Sequence, residues 1–185
     1  MGAPRTTVDD DLPDLVLPIE DRDHTIGPIG ARRTLVEYGD YESGECAELS
    51  PIGKELVREF GDELCLVFRN FPNAAAHPRA EFAAQAAEAA GMQGKFWLMH
   101  DRIFEHPEAL AAPELRRLAT ELPIDLETYD RDLESGAAAR RVAEDVESGT
   151  DAGVVESPTL FVNGRMHEGS YEFLPLVEAL RSAHR

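Results

Sequence analysis

The chain has 185 residues, 43% of them hydrophobic and 29% charged, which suits one globular domain with a proper core and excludes a disordered chain. Its formal net charge is -18, from 36 acidic and 18 basic residues, so nucleic acid and anionic membranes are excluded as partners by repulsion. No apolar run approaches the ~20 residues of a spanning helix, and the start Met-Gly-Ala-Pro-Arg-Thr-Thr lacks the apolar core of a secretory signal, so the expectation is a cytoplasmic protein or a soluble domain of a longer membrane protein.

Residues 1–30 are polar and punctuated by Pro13, Pro18, Gly27, Pro28 and Gly30. They read as an irregular arm, partly packed through Leu15, Val16 and Leu17. Leu35-Val36-Glu37-Tyr38 reads as a short strand. Gly39 and Asp40 turn the chain, and a helix is predicted from about Ser43 to Phe60, with Pro51 inside it as a kink. Leu64-Cys65-Leu66-Val67-Phe68 is apolar on both faces, as a buried parallel strand should be.

A helical stretch follows. His77-Pro78 opens a helix in which Ala80, Ala83, Ala84 and Ala87 share a face, and Gly91 and Gly94 break it. Phe96, Met99 and Ile103 recur at helical spacing. Pro113 sits at the first turn of another helix, with Leu115, Leu118 and Leu122 facing inward. Asp125 is an N-cap for the helix carrying Leu126, Tyr129 and Leu133, and Ala138, Val142 and Val146 mark one more. Strand signals return at Thr159-Leu160-Phe161-Val162. Asn163-Gly164 is a strong hairpin signal, with a returning strand over 165–168. A closing helix holds Phe173, Val177 and Leu180. The expected organisation is an arm over 1–30, an α/β core over 31–75 and 153–185, and a helical insertion over 76–152.

Several motifs accompany this order: Leu35-Val36-Glu37-Tyr38-Gly39-Asp40-Tyr41-Glu42, Phe68-Arg69-Asn70-Phe71-Pro72, His77-Pro78, Gly94-Lys95-Phe96-Trp97-x-Met99-His100-Asp101, and Ser157-Pro158-Thr159-Leu160-Phe161-Val162-Asn163-Gly164. Together they resemble the DsbA-like thioredoxin family, from about Asp23 to the end of the chain. The likeness extends to single-domain oxidoreductases and to the thioredoxin-type domain fused behind some Na+/H+ antiporters. The resemblance implies a thioredoxin fold with a helical insertion between its βαβ and ββα halves. It sets Ser43 where the family has its attacking cysteine, Cys46 where it has the resolving one, and Pro158 where it has the cis-proline facing the active site. Gly44, Glu45 and Ser157 then border the groove. Pro51 matches the proline of the family's active-site helix. A thiol-containing protein or peptide is the implied partner, and no cofactor is implied.

Disulfide exchange needs a thiolate to attack one sulfur and a second thiol to resolve the mixed disulfide. A serine hydroxyl ionises far too weakly to replace the first, so the two-thiol cycle within this motif is expected to be weak or absent. Serine is also a preferred N-cap, so Ser43 keeps the helix start while removing the chemistry. Cys46 is either a lone redox thiol or a small buried hydrophobe. Asp40, Glu42, Glu45 and Glu48 lie close in sequence and are expected to disfavour its thiolate. Glu156, two residues before Pro158, adds another acid. Cys65 is expected to lack the geometry for a disulfide with Cys46.

A second reading is a non-catalytic binding or regulatory module, the groove beside Pro158 taking a peptide or partner. A third takes the kappa-class glutathione transferases as its guide. They belong to the same DsbA-like group, and Ser43 would hydrogen-bond the thiolate of bound glutathione, although the acidic surroundings disfavour that anionic tripeptide. His77, His100 and His106 match no ligand spacing and read as packing or capping residues. Trp97, Phe96 and Met99 read as core. The runs Asp9-Asp10-Asp11 and Glu144, Asp145, Glu147 read as solvated surface.

Overall fold

The computed structural model describes residues 18–182. The packing of Leu15 to Leu17 and the solvation of Asp9 to Asp11 fall outside them. Five strands form one mixed sheet in the order β1-β3-β2-β4-β5: β1 is His24–Ile26, β2 Arg33–Gly39, β3 Leu64–Asn70, β4 Thr159–Val162 and β5 Arg165–Met166. The central pair β2 and β3 is parallel, joined by helix α1 (Gly44–Phe60), and β1, β4 and β5 add antiparallel. Five helices then separate β3 from β4: α2 (Ala80–Gly91), α3 (Phe96–Glu105), α4 (Ala112–Ala119), α5 (Leu126–Glu134) and α6 (Ala137–Asp151). Helix α7 (Phe173–Ser182) closes the chain. This is the thioredoxin fold with a helical insertion that the resemblance implies. No helix among the described residues is long and apolar enough to cross a membrane.

The irregular arm needs correction. Residues 24–26 are a strand, pairing His24 with Phe68 and Ile26 with Leu66. Three residues are too short for an alternating pattern to register, and the strand forms because the outer edge of β3 would otherwise expose its backbone groups.

All seven residues of β3 are buried, and so are the last five of β2. Side chains alternate across the sheet. Leu35, Leu64 and Leu66 pack with Leu49 and Leu56 of α1 and Leu176 and Leu180 of α7. On the opposite face Val36, Tyr38, Cys65, Val67 and Phe161 pack with Ala152 and Val154. The insertion makes a third cluster around α2, where Ala83, Ala84, Ala86, Ala87, Ala89 and Ala90 are all buried. Where α2 packs against its neighbours its side chains are small, and alanine allows the close approach at little cost in helix propensity. Gly149 of α6 serves the same purpose, since a Cβ there would lie 2.7 Å from the Phe71 ring and 3.0 Å from that of Tyr38.

The fold is tied across its layers by buried polar groups. Arg69 is 2% exposed. It donates to both Asp23 carboxylate oxygens at 2.8 Å, to Tyr38 Oη at 3.0 Å, to Ser148 Oγ at 3.1 Å and to the Pro18 carbonyl at 3.1 Å. Two acids, Asp145 and Glu88, are also interior. Asp145 is buried and accepts from the Asn70 N–H at 2.9 Å, and Glu88 accepts from Asn70 Nδ2 at 2.7 Å and lies 3.0 Å from His24 Nε2. Asp145 therefore differs from the solvated face expected for 144–147: α6 packs that side onto β3 and α2.

Candidate functional site

The site begins where β2 ends. Gly39 has the Phe68 ring 2.4 Å from where a Cβ would stand, so only glycine lets the strand pass this ring into the turn. Asp40 organises the corner. Its Oδ1 accepts from the Glu42 N–H at 2.7 Å, and its Oδ2 accepts from the Asn73 N–H at 2.8 Å and from His77 Nδ1 at 2.9 Å. Arg79 pairs with Glu42 at 2.8 Å. The segment after β3 is thereby clamped against the start of α1.

Ser43 is the N-cap of α1. Its backbone is extended (φ -78°, ψ 125°) and its Oγ accepts from the Cys46 N–H at 3.3 Å, satisfying one of the donors that a helix start leaves unpaired. Cys46 is wholly buried, and its Sγ accepts from the Asp40 N–H at 3.3 Å. Burial pushes the Cys46 thiol up to about 12, and the charge of Glu37 adds to it. The hydrogen bonds from Asp40 and Ser43 work the other way without offsetting this.

The acids around the corner divide into distinct roles. The Asp40 carboxylate raises the Cys46 thiol, but by less than the Asp40 N–H lowers it. Burial, the largest single influence, raises the Glu42 carboxyl, but the hydrogen bonds and charge of Arg79 together hold it below the ordinary range. Glu45 and Glu48 are exposed on α1. The main electrostatic opponent of a Cys46 thiolate is Glu37, which sequence reasoning read only as part of a strand. Glu37 is 6% exposed, and its Oε1 has no hydrogen-bond partner. Burial alone pushes its carboxyl up to about 8. It lines a small cavity of about 50 Å³ with Leu66, Phe68, Trp97 and His100. The available signal was an acid inside a strand otherwise apolar on both faces.

The Ser157–Pro158 bond is cis. Pro158 lines a groove of about 220 Å³ with Leu49, Ile52 and Tyr171, and with Glu45, Glu48 and Glu172. The Tyr171 hydroxyl donates to the Pro158 carbonyl at 3.5 Å. Burial raises the Tyr171 phenol, and the charges of Glu156, Glu37 and Cys46 raise it further. Among the resemblance-based positions, Pro158 and Glu45 line one groove, with Ser43 and Cys46 at the head of the helix that forms its wall. Gly44 is exposed with open space over it, and Ser157 is half-buried beside Pro158.

Cys65 belongs to the other face. It packs with Val36, Tyr38 and Val67, whereas α1 covers the Leu64 and Leu66 side. Strand alternation therefore separates the two sulfurs by the sheet itself, and both cysteines are free. The histidines are dispersed. His77 pairs with Asp40, His106 lies 3.4 Å from Glu108, and buried His100 contacts the Tyr41 hydroxyl at 3.1 Å, its imidazole pushed down to about 3 by burial. No group of three metal-ligating side chains occurs among the described residues.

Residues 20–181 match the sequence model of the family described as Thioredoxin. A curated relative, the Na(+)/H(+) antiporter NhaA 1 of Salinispora arenicola, is 42% identical over 177 residues, which are 95% of this chain and 27% of that protein. Its namesake in Mycolicibacterium vanbaalenii is 40% identical over 174 residues, 92% of this chain and 28% of that protein. The chain thus spans about a quarter of the length of the curated relatives it matches. Among solved structures, oxidised BdbD from Bacillus subtilis superposes with a TM-score of 0.79 at 23% identity, over 94% of this chain and 98% of that one. A thioredoxin-like oxidoreductase from Silicibacter pomeroyi gives 0.77 at 25% identity, over 89% and 95%.

Proposed function

The chain belongs to the DsbA-like thioredoxin family, and from that premise we propose that it is a member in which thiol-disulfide exchange is weak or absent. One observation carries this reading: the lone motif thiol, Cys46, is wholly buried, with its thiol pushed up to about 12. In exchange, a thiolate forms a new bond to one sulfur of a disulfide while the other sulfur leaves as thiolate. A second thiol must then displace the first. Ser43, itself only 7% exposed, offers oxygen at the first position of the motif, and Cys46 stays protonated at neutral pH. Neither half of the cycle has its nucleophile.

Ellman's reagent and an insulin-reduction assay test this directly. The folded protein is expected to show almost no thiol reactivity at pH 8, both cysteines reacting on unfolding, and insulin turnover at the uncatalysed rate. Turnover well above that background, lost in Cys46→Ala, would overturn the reading.

The groove beside Pro158 supports a second reading, a binding module that keeps the family's recognition surface without its sulfur chemistry. The antiporter relatives support a domain carried by longer proteins. Glutathione suits the groove poorly: it brings two carboxylates to a site already edged by Glu45, Glu48 and Glu172.

A further inference from the structure

The groove between α1 and the start of α7 has an apolar floor and a charged edge of one sign. Leu49, Ile52, Pro158 and Tyr171 make the floor, and Glu45, Glu48 and Glu172 stand at the edge. Positions 45, 48, 49 and 52 fall on one side of α1 by helical spacing. Several acids elsewhere on this side of the molecule have a basic partner. Glu42 is paired with Arg79, Glu59 with Arg181, Glu63 with Arg33, and Lys54 with Asp101. Among the described residues none of Glu45, Glu48 and Glu172 has an ion pair. The charged side chains lining the groove are all carboxylates. Other titratable groups near it are Glu156, Glu37 and Cys46, whose charges act on Tyr171, and His167, whose ring lies 6.0 Å from that of Tyr171 and whose Nε2 contacts the Ser170 carbonyl at 3.2 Å.

From this arrangement we infer that the groove binds an extended peptide segment of a partner protein in which an apolar side chain is flanked by arginine or lysine. The apolar residue sits on Leu49, Ile52 and Pro158, and the flanking cations meet the three carboxylates. An arginine can in addition lie over the Tyr171 ring. Charge complementarity selects this occupant over the alternatives. A second copy of the chain brings a net charge of -18, and an acidic or phosphorylated segment meets the same repulsion. The inference rests on the binding-module reading and names its ligand class.

The test uses a fluorescein-labelled nine-residue peptide with a central leucine and two arginines on each side, without cysteine. A second peptide replaces the arginines by glutamine. Fluorescence polarisation at pH 7.5 is expected to show saturable binding of the arginine peptide that weakens as salt is raised, and at least ten-fold weaker binding of the glutamine peptide. The triple variant Glu45→Gln/Glu48→Gln/Glu172→Gln should weaken the arginine peptide about ten-fold, since each exposed ion pair contributes a few-fold. A control, Glu134→Gln/Glu147→Gln/Asp151→Asn, removes the same charge from exposed positions on α5 and α6, and should leave binding within two-fold. Ile52→Glu should abolish it while circular dichroism confirms the fold.

Equal affinity for both peptides, equal loss in both triple variants, or no binding with a dimer in sedimentation would each overturn the inference. The peptide contains no sulfur. Failure here therefore leaves the redox reading intact, and insulin turnover with intact peptide binding would overturn that reading alone.

Discussion

Glu37 and Arg69 are both charged residues buried in the central strands, yet their surroundings are opposite. Arg69 lies on β3, opposite Tyr38 in the register, and its guanidinium makes five hydrogen bonds. Glu37 lies one residue away on β2, opposite Phe68 and facing the other side of the sheet. It has an orphaned oxygen. A buried charge costs several kcal/mol unless it is paired and hydrogen-bonded. Arg69 meets that condition and joins three parts of the chain, so its presence has a structural reason. Glu37 does not meet it, and the fold gains nothing visible from keeping an acid there. Unsatisfied buried acids of this kind concentrate at functional sites. Glu37 opposes ionisation of Cys46, so it belongs electrostatically to the corner where β2 leads into α1.

The largest effect is expected where the network is complete. Arg69→Met leaves the Asp23 carboxylate buried without its partner and should cost about 3–5 kcal/mol, a fall in Tm of roughly 10 °C for a protein of this size. Against burial, which raises it, Arg69 holds the Asp23 carboxyl below the ordinary range, so the variant's loss should be greatest above pH 5. Adding Asp23→Leu should recover much of the stability. A drop under 1 kcal/mol for the single variant, measured by urea titration, would put Arg69 on a par with an ordinary surface arginine and erase the contrast with Glu37.

The next effect has the opposite sense. Glu37 has a folded pKa raised to about 8 from an ordinary 4.5. Below pH 4.5 it is protonated in both states and carries no penalty. As pH rises from 4.5 toward 8 the unfolded chain ionises while the folded one resists, so stability falls. Between pH 4.5 and 7 this amounts to on the order of 3 kcal/mol. Asp145, raised to about 6 mainly by burial, adds a loss of the same sign between 3.8 and 6. The Glu37→Gln variant should flatten the profile above pH 6, and Asp145→Asn should flatten only its acid end. Superimposable profiles for wild type and Glu37→Gln would show that Glu37 is not held neutral by the fold.

How far this was legible follows from what each feature depends on. The Ser43 cap, the Asp125 cap bonding the Thr128 N–H at 2.7 Å, and the Asn163-Gly164 turn with both residues at positive φ are local rules, and the sequence shows them directly. The alanine face of α2 follows from periodicity. The cis bond before Pro158 came only through resemblance. Edge strand β1 escaped because its reason lies on β3, forty residues away. Glu37, Glu88 and Asp145 escaped because nothing in an acid's neighbours along the chain says that another layer will cover it. The same gap hid the division of the corner acids. Burial and Glu37 hold Cys46 protonated, while Glu45 and Glu48 face the groove, and only the packed structure separates them.

The smallest effect bears on the corner itself. Ser43 Oγ accepts one hydrogen bond at a helix start, so Ser43→Ala should cost about 1 kcal/mol, and Ser43→Gly only a few tenths. Neither substitution touches Glu37, so the pH profile should shift uniformly without changing shape. Ser43→Cys should be equally mild in stability but chemically distinct. It places a thiol at the helix N-terminus, where the partial positive charge favours a thiolate. Ellman's reagent should then find one fast thiol in the folded protein, with Cys46 still silent beside its raised pKa. If the new thiol proved as inert as Cys46, serine would not be what separates this chain from an active exchanger.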